Sequence, residues 1–221
     1  MRQVIDKAKM IKGKAFNAFI NFKKRMNWFD IRDGLDTWDC IDVELLTKGI
    51  DSPNKKFMVR YSPSGLFQIK SSLGQLIKFD PTVLEHGFID FGCGKGRVLI
   101  MAERMGFRNI VGVEFSKELC AICLRNLKKA KCSHTEVVCG DAVEYQIPAD
   151  VRTFYFCNPC EYFLVEKMLG NIRASLKAAP RDGYIVYMDP RQFGQLDPAQ
   201  YRMLFKYDGP GVSFHVYKVI I

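Results

Sequence analysis

Apolar and polar residues follow two different periods along this chain, and the switch from one to the other marks its elements. Phe88-Ile89-Asp90-Phe91 is an apolar run long enough for a buried strand, and it breaks at once into Gly92-Cys93-Gly94-Lys95-Gly96. From Arg97 to Arg104 the apolar positions Val98, Leu99, Met101 and Ala102 predict a helix, which Gly106 ends in the manner of a C′ glycine. Ile110-Val111-Gly112-Val113 predicts a second strand with Glu114 at its tip, and Ser116 is placed to N-cap a helix through Ala130. A third strand, Thr135 to Cys139, leads into Gly140-Asp141-Ala142, and a fourth, Thr153 to Cys157, into Asn158-Pro159-Cys160-Glu161. A helix from Phe163 to Ala178, a fifth strand from Gly183 to Met188, and a closing pair, Tyr201 to Tyr207 with Val212 to Ile221, complete the series. Strands alternating with helices, then a terminal hairpin, predict an α/β fold: a Rossmann-like, doubly wound, seven-stranded sheet, mostly parallel, with a C-terminal antiparallel hairpin.

Upstream the pattern is looser. Tyr61-Ser62-Pro63-Ser64 precedes a helical spacing through Leu66, Ile69, Leu73 and Leu76, where Ser64 has two readings: N-cap of that helix, or a hydroxyl for a ligand carboxylate. Phe29 to Thr37, FDIRDGLDT, is acidic and broken by glycine, so it reads as a loop. Cys40 to Leu46 suits a short helix or strand, and Lys48 to Lys56 a polar linker. Three regions follow: a basic arm (1–29), a cap or substrate segment (30–80) and the Rossmann-like domain (81–221).

Charge changes the picture only at the N-terminus. Residues 1–29 hold eight Lys and Arg against the single acid Asp6, so about +7 of the chain's net +9 sits there. Val4, Ala8, Ile11, Ala15, Phe19, Phe22, Met26 and Phe29 recur at steps of three and four, a narrow apolar stripe flanked by lysines. Such a helix docks on its own domain, lies on an anionic membrane surface, or meets a protein or nucleic-acid partner.

The 221 residues, 48% hydrophobic, suffice for one sizeable core. No apolar run approaches the roughly 18 residues of a membrane span, and the N-terminus is too charged for a secretory signal. The eight cysteines fall largely within predicted core elements, which favours reduced thiols and a cytoplasmic setting, peripheral at the membrane if the arm binds there. The pairs Cys120/Cys123 and Cys157/Cys160 sit on a helix and a strand rather than on tight turns, so no metal site is expected. His86, His134 and His215 lie away from predicted strand tips and read as structural.

The chemistry concentrates between residues 90 and 160. Glycines after a buried strand let backbone N–H groups approach a ligand, and Glu114, 22 residues beyond Gly92, is placed to grip a ribose diol. Dinucleotide sites favour G-x-G-x-x-G, whereas this loop is G-x-G-x-G. Asp141, at the third strand tip, is placed to accept from the exocyclic amine of adenine, with a purine near Phe115.

Asp90-Phe91-Gly92-Cys93-Gly94-Lys95-Gly96, then Glu114, then Gly140-Asp141-Ala142, resembles motifs I to III of the class I S-adenosylmethionine-dependent methyltransferases. Within that superfamily, the run through Arg97-Val98-Leu99 and Val111-Gly112-Val113-Glu114-Phe115-Ser116 resembles a bacterial group related to the Dot1 lysine methyltransferases, over roughly residues 29–221. The resemblance implies S-adenosylmethionine as cofactor, held by Asp90, Gly92, Cys93, Gly94, Gly96, Glu114, Phe115, Asp141, Ala142 and Asn158. It also implies that Tyr61 and Ser64 fold over the methionine end, and that Asn158, Pro159 and Tyr61 form the catalytic wall. Asn-Pro-Cys-Glu here departs from the Asn-Pro-Pro-Tyr of amino-directed nucleic-acid enzymes, losing the stacking aromatic. A domain near neutrality also lacks the basic surface that phosphates want. A protein or peptide amine, lysine above all, is therefore the favoured acceptor; a small molecule or envelope glycan precursor, and a non-catalytic cofactor-binding module, are the alternatives.

Overall fold

In the computed structural model, residues 28–46, 53–190, 196–209 and 212–221 are described. The arm expected at 1–29 therefore falls, up to residue 27, outside the described residues.

Seven strands form one sheet in the order β3-β2-β1-β4-β5-β7-β6: β1 (Gly87–Phe91), β2 (Ile110–Glu114), β3 (Thr135–Cys139), β4 (Val151–Phe156), β5 (Tyr184–Met188), β6 (Tyr201–Gly209) and β7 (Val212–Val219). The first five are parallel, and β7 runs antiparallel to both β5 and β6. The expected mixed, doubly wound sheet is the one observed.

Strand alternation explains why this sheet is buried on both faces. Phe88 of β1 and Tyr155 of β4 point into one core, with Leu73 and Leu76 of a helix at Leu66–Phe79 and Leu99 of a helix at Arg97–Arg104. Ile89, Phe91, Phe154 and Phe156 point the other way, onto Leu164, Met168 and Ile172 of the helix Tyr162–Ala178. In chain order these helices are α2 (Leu66–Phe79), α3 (Arg97–Arg104) and α5 (Tyr162–Ala178). Between them α4 spans Lys117–Ala130, and a single turn, α1 (Val43–Leu46), comes before α2.

The chain winds outward from β1 through β2 to β3, then returns to β4 on the other side of β1. That reversal leaves a crevice at the carboxyl ends of β1 and β4, where neither crossover covers the edge.

Three local expectations are corrected. Residues 28–33 are helical, not loop. The N-cap of α2 is Gly65, whose N–H donates to Gln68 Oε1 at 2.9 Å, so Ser64 is not the cap and is buried instead. The fourth strand begins two residues earlier than expected and ends one earlier, at Phe156, which puts Cys157 in the turn with Asn158.

Candidate active site

A cavity of about 690 Å³ opens at the carboxyl ends of β1, β2 and β4, and a second lobe of about 350 Å³ adjoins it, with Met58, Gly92, Phe115 and Pro159 shared between the two. Tyr61, Ser64, Asp90, Gly92, Cys93, Glu114, Phe115, Asn158 and Pro159 line the larger lobe; Asp141 and Ala142 line the smaller. Residues far apart in sequence thus share one wall because their strands end on one edge.

The glycine loop is shaped by what lies on it. Gly92 (φ +80°) has Pro159 where a side chain would begin, at 2.6 Å. At Gly94 (φ +55°) the space of a Cβ is filled by the Tyr61 ring. Gly94→Ala combines a left-handed backbone with that clash, and is expected to lower stability by about 2–4 kcal/mol. A urea midpoint unchanged from wild type would show that Tyr61 can move aside freely.

Glu114 closes the loop from the β2 tip. Its Oε2 accepts from Gly94 N at 2.8 Å and its Oε1 from Ser116 N at 2.8 Å. Burial raises its pKa, while the N–H groups of Ser116, Gly94 and Phe115 oppose that rise. The carboxylate, with about four acceptor sites, still has capacity for a donor in the cavity.

Asp90 has no such relief. It is buried, Oδ2 has no hydrogen-bond partner among the described residues, and burial followed by the charge of Glu114 pushes its pKa well above the ordinary carboxylate range. A buried carboxyl on a cavity wall, with one oxygen left without a partner among the described residues, is suited to a cation.

In the smaller lobe Asp141 Oδ1 accepts from Val143 N at 2.9 Å and Oδ2 from Asn54 Nδ2 at 2.7 Å, among Ala142, Leu164 and Met168. An apolar slot with a fixed carboxylate at its rim has the form of a heteroaromatic base site.

The β4 turn forms the opposite wall. Asn158 sits at φ +44°, its Nδ2 donates to Asp189 O at 3.2 Å, and its buried Oδ1 has no hydrogen-bond partner among the described residues. Burial pushes the neighbouring Cys157 thiol up to about 11, so a thiolate does not compete there at neutral pH. None of the three histidines lines the cavity: His215 bonds Tyr217 Oη at 2.9 Å and Asp208 at 3.2 Å on β6 and β7.

Tyr61 presents its ring to the loop, while its hydroxyl donates to Thr37 O at 2.9 Å. Burial raises its pKa beyond any role as a phenolate base.

Arg97 was not among the site residues read from the sequence. It lines the larger lobe, lies 2% exposed, and its Nη1 has no hydrogen-bond partner among the described residues. Its position directly after the third glycine, at the first turn of α3, was the available signal; a charged residue there normally reads as helix surface.

Residues 88–179 match the family model described as a methyltransferase domain. Among solved structures, an S-adenosylmethionine-dependent methyltransferase from Aquifex aeolicus is 16% identical and superposes at a TM-score of 0.55, covering 82% of this chain and all (100%) of that one. An RNA methyltransferase from Salinibacter ruber, in complex with S-adenosyl-L-homocysteine, is 19% identical at a TM-score of 0.54, covering 71% of this chain and 93% of that one. No curated protein sequence matches the chain. Residues 88–179 thus match a methyltransferase domain, and the seven-stranded sheet built around them has the fold of the S-adenosylmethionine-dependent methyltransferase on which it superposes.

Proposed function

We propose that the protein N-methylates an amine of a protein or peptide, a lysine side chain being the favoured acceptor. The observation that carries this reading is Asn158: a neutral acceptor oxygen, buried and unpartnered among the described residues, fixed at the β4 tip by its own amide. The likeness of motif I and of Val111–Ser116 to the Dot1-related group supports lysine as the acceptor class.

The wall residues fit S-adenosylmethionine. Glu114 would hold the ribose hydroxyls, the Phe115–Asp141–Ala142 lobe the adenine, and Asp90 the cationic part of the amino-acid end, with Ser64 and Arg97 as donors to its carboxylate. Bound there, the cofactor supplies a methyl group on an already activated sulfonium leaving group. The chain's own task is alignment. Asn158 Oδ1 accepts from an incoming N–H and leaves the nitrogen lone pair free; Pro159, packed on Gly92, keeps that wall against the loop. A lysine amine has a pKa near 10.4, so holding it neutral at pH 7 costs about 4–5 kcal/mol, which the apolar surroundings of Met58, Leu119 and Pro159 favour by penalising the ammonium.

The test is transfer of tritiated methyl from S-adenosylmethionine to protein, RNA, lipid and metabolite fractions of a cell extract. Label is expected in protein, as acid-stable methyl-lysine. Asn158→Ala is expected to lower transfer by about 100-fold with cofactor affinity unchanged, about 3 kcal/mol of alignment. Label confined to metabolites or lipid would replace this acceptor with a small molecule or envelope precursor.

A further inference from the structure

The acidic stretch that precedes the domain is tied to the cofactor loop almost residue by residue. Asp33 pairs with Arg104 at 2.6 Å, Lys129 Nζ donates to Gly34 O at 2.7 Å, and the Asp36 carboxylate meets the buried Lys95 ammonium at 2.7 Å. Asn126 clasps the backbone from both sides: its Oδ1 accepts from Asp36 N at 2.9 Å, and its Nδ2 donates to Asp36 O at 2.8 Å and to Lys95 O at 2.9 Å. Residues 29–38 therefore form a strap across α3, α4 and the glycine turn.

Within the strap, two side chains converge on Arg97. Asp30 accepts from Thr37 Oγ1 at 2.5 Å and from Thr37 N at 2.7 Å, which fixes the pair to each other. Arg97 Nε then donates to Thr37 Oγ1 at 2.7 Å and Nη2 to Asp30 Oδ1 at 3.3 Å, with the guanidinium 5.1 Å from the Trp38 ring centroid. Two of the three guanidinium nitrogens are thus taken by the strap, and Nη1 is left over. Both Asp30 and Thr37 are buried, and neither lines the cavity.

We infer that Asp30 and Thr37 are positioning residues: by occupying Nε and Nη2 they orient Arg97 so that Nη1 is the donor offered to the α-carboxylate of the cofactor, which makes the strap a determinant of selectivity for the carboxylate-bearing ligand. A planar guanidinium with two edges fixed has little freedom left at the third, so the entropy of orienting it is spent on folding rather than on binding. This inference rests on the cofactor assignment above.

Calorimetry with S-adenosylmethionine and with decarboxylated S-adenosylmethionine, which lacks only the carboxylate, separates the two. Wild type is expected to prefer the carboxylated ligand at least tenfold. Thr37→Val and Asp30→Asn should each remove most of that preference while binding the decarboxylated ligand as wild type does; Thr37→Ser should restore it. In an Arg97→Gln background, Thr37→Val should change the preference no further. A fall in affinity for both ligands together, or an unchanged preference, would overturn the positioning role and leave the cofactor assignment standing. Failure of wild type to bind either ligand would overturn both.

Discussion

Replacement of Glu114 by alanine is expected to weaken S-adenosylmethionine binding by 100-fold or more and to lower the stability of the free protein as well. The binding loss follows from hydrogen bonds between a buried carboxylate and two hydroxyls, worth about 1.5–3 kcal/mol each, or about 3–6 kcal/mol together. The stability loss has a separate origin: the N–H groups of Gly94 and Ser116, each 2.8 Å from a Glu114 oxygen, lose their acceptor in a dry site. Two unsatisfied buried donors cost about 1–3 kcal/mol apiece. Glu114→Gln divides the effects, because the amide keeps one acceptor oxygen and sets an NH₂ against the other N–H. Titration calorimetry and urea melts read both quantities. A Glu114→Ala protein that binds the cofactor as tightly as wild type would remove the ribose from this carboxylate.

Asp90→Asn should act with opposite signs on stability and binding. The carboxyl is buried beside Glu114, and Oδ2 has no hydrogen-bond partner among the described residues. The folded protein therefore holds this proton to a higher pH than the unfolded chain does. Between the two values the native state binds more protons, so the contribution of Asp90 to stability falls as pH rises through that window. Asparagine removes the dependence. The variant is expected to gain about 1 kcal/mol at the alkaline end, nothing below pH 4, and to lose cofactor affinity at least 30-fold. In wild type, binding a sulfonium and an ammonium next to this group favours its ionised form. Cofactor binding should then release protons, and affinity should rise with pH, both readable in buffers of different ionisation enthalpy. A variant with wild-type affinity, or a loss of stability at pH 8, would show that the carboxyl meets no cation.

The parallel half of the sheet was legible because each of its strands is short, largely apolar and punctuated by glycine, proline or a capping residue. Glu114, Asp141 and Asn158 were legible for the same reason: polar residues at the carboxyl tips of parallel strands lie on one edge of the sheet. Within Phe29 to Thr37, read as loop, residues 29–33 are helical instead. Asp and Gly lower helix propensity, and the groups that hold residues 33–37, namely Arg97, Arg104, Asn126 and Lys129, come from elements 60 to 95 positions away. Ser64 was a plausible cap by composition, but the residue that begins α2 is Gly65, bonded to Gln68.

The sequence by itself determined the sheet order's raw material, the glycine turn and the strand-tip acids, since these depend on periodicity and on neighbours within a few residues. Only the tertiary structure decided which buried atoms lack a partner among the described residues. Asp90, Arg97 and the Asn158 oxygen differ from ordinary Asp, Arg and Asn solely in what surrounds them, and desolvation is a property of the packed neighbourhood, which no local pattern encodes.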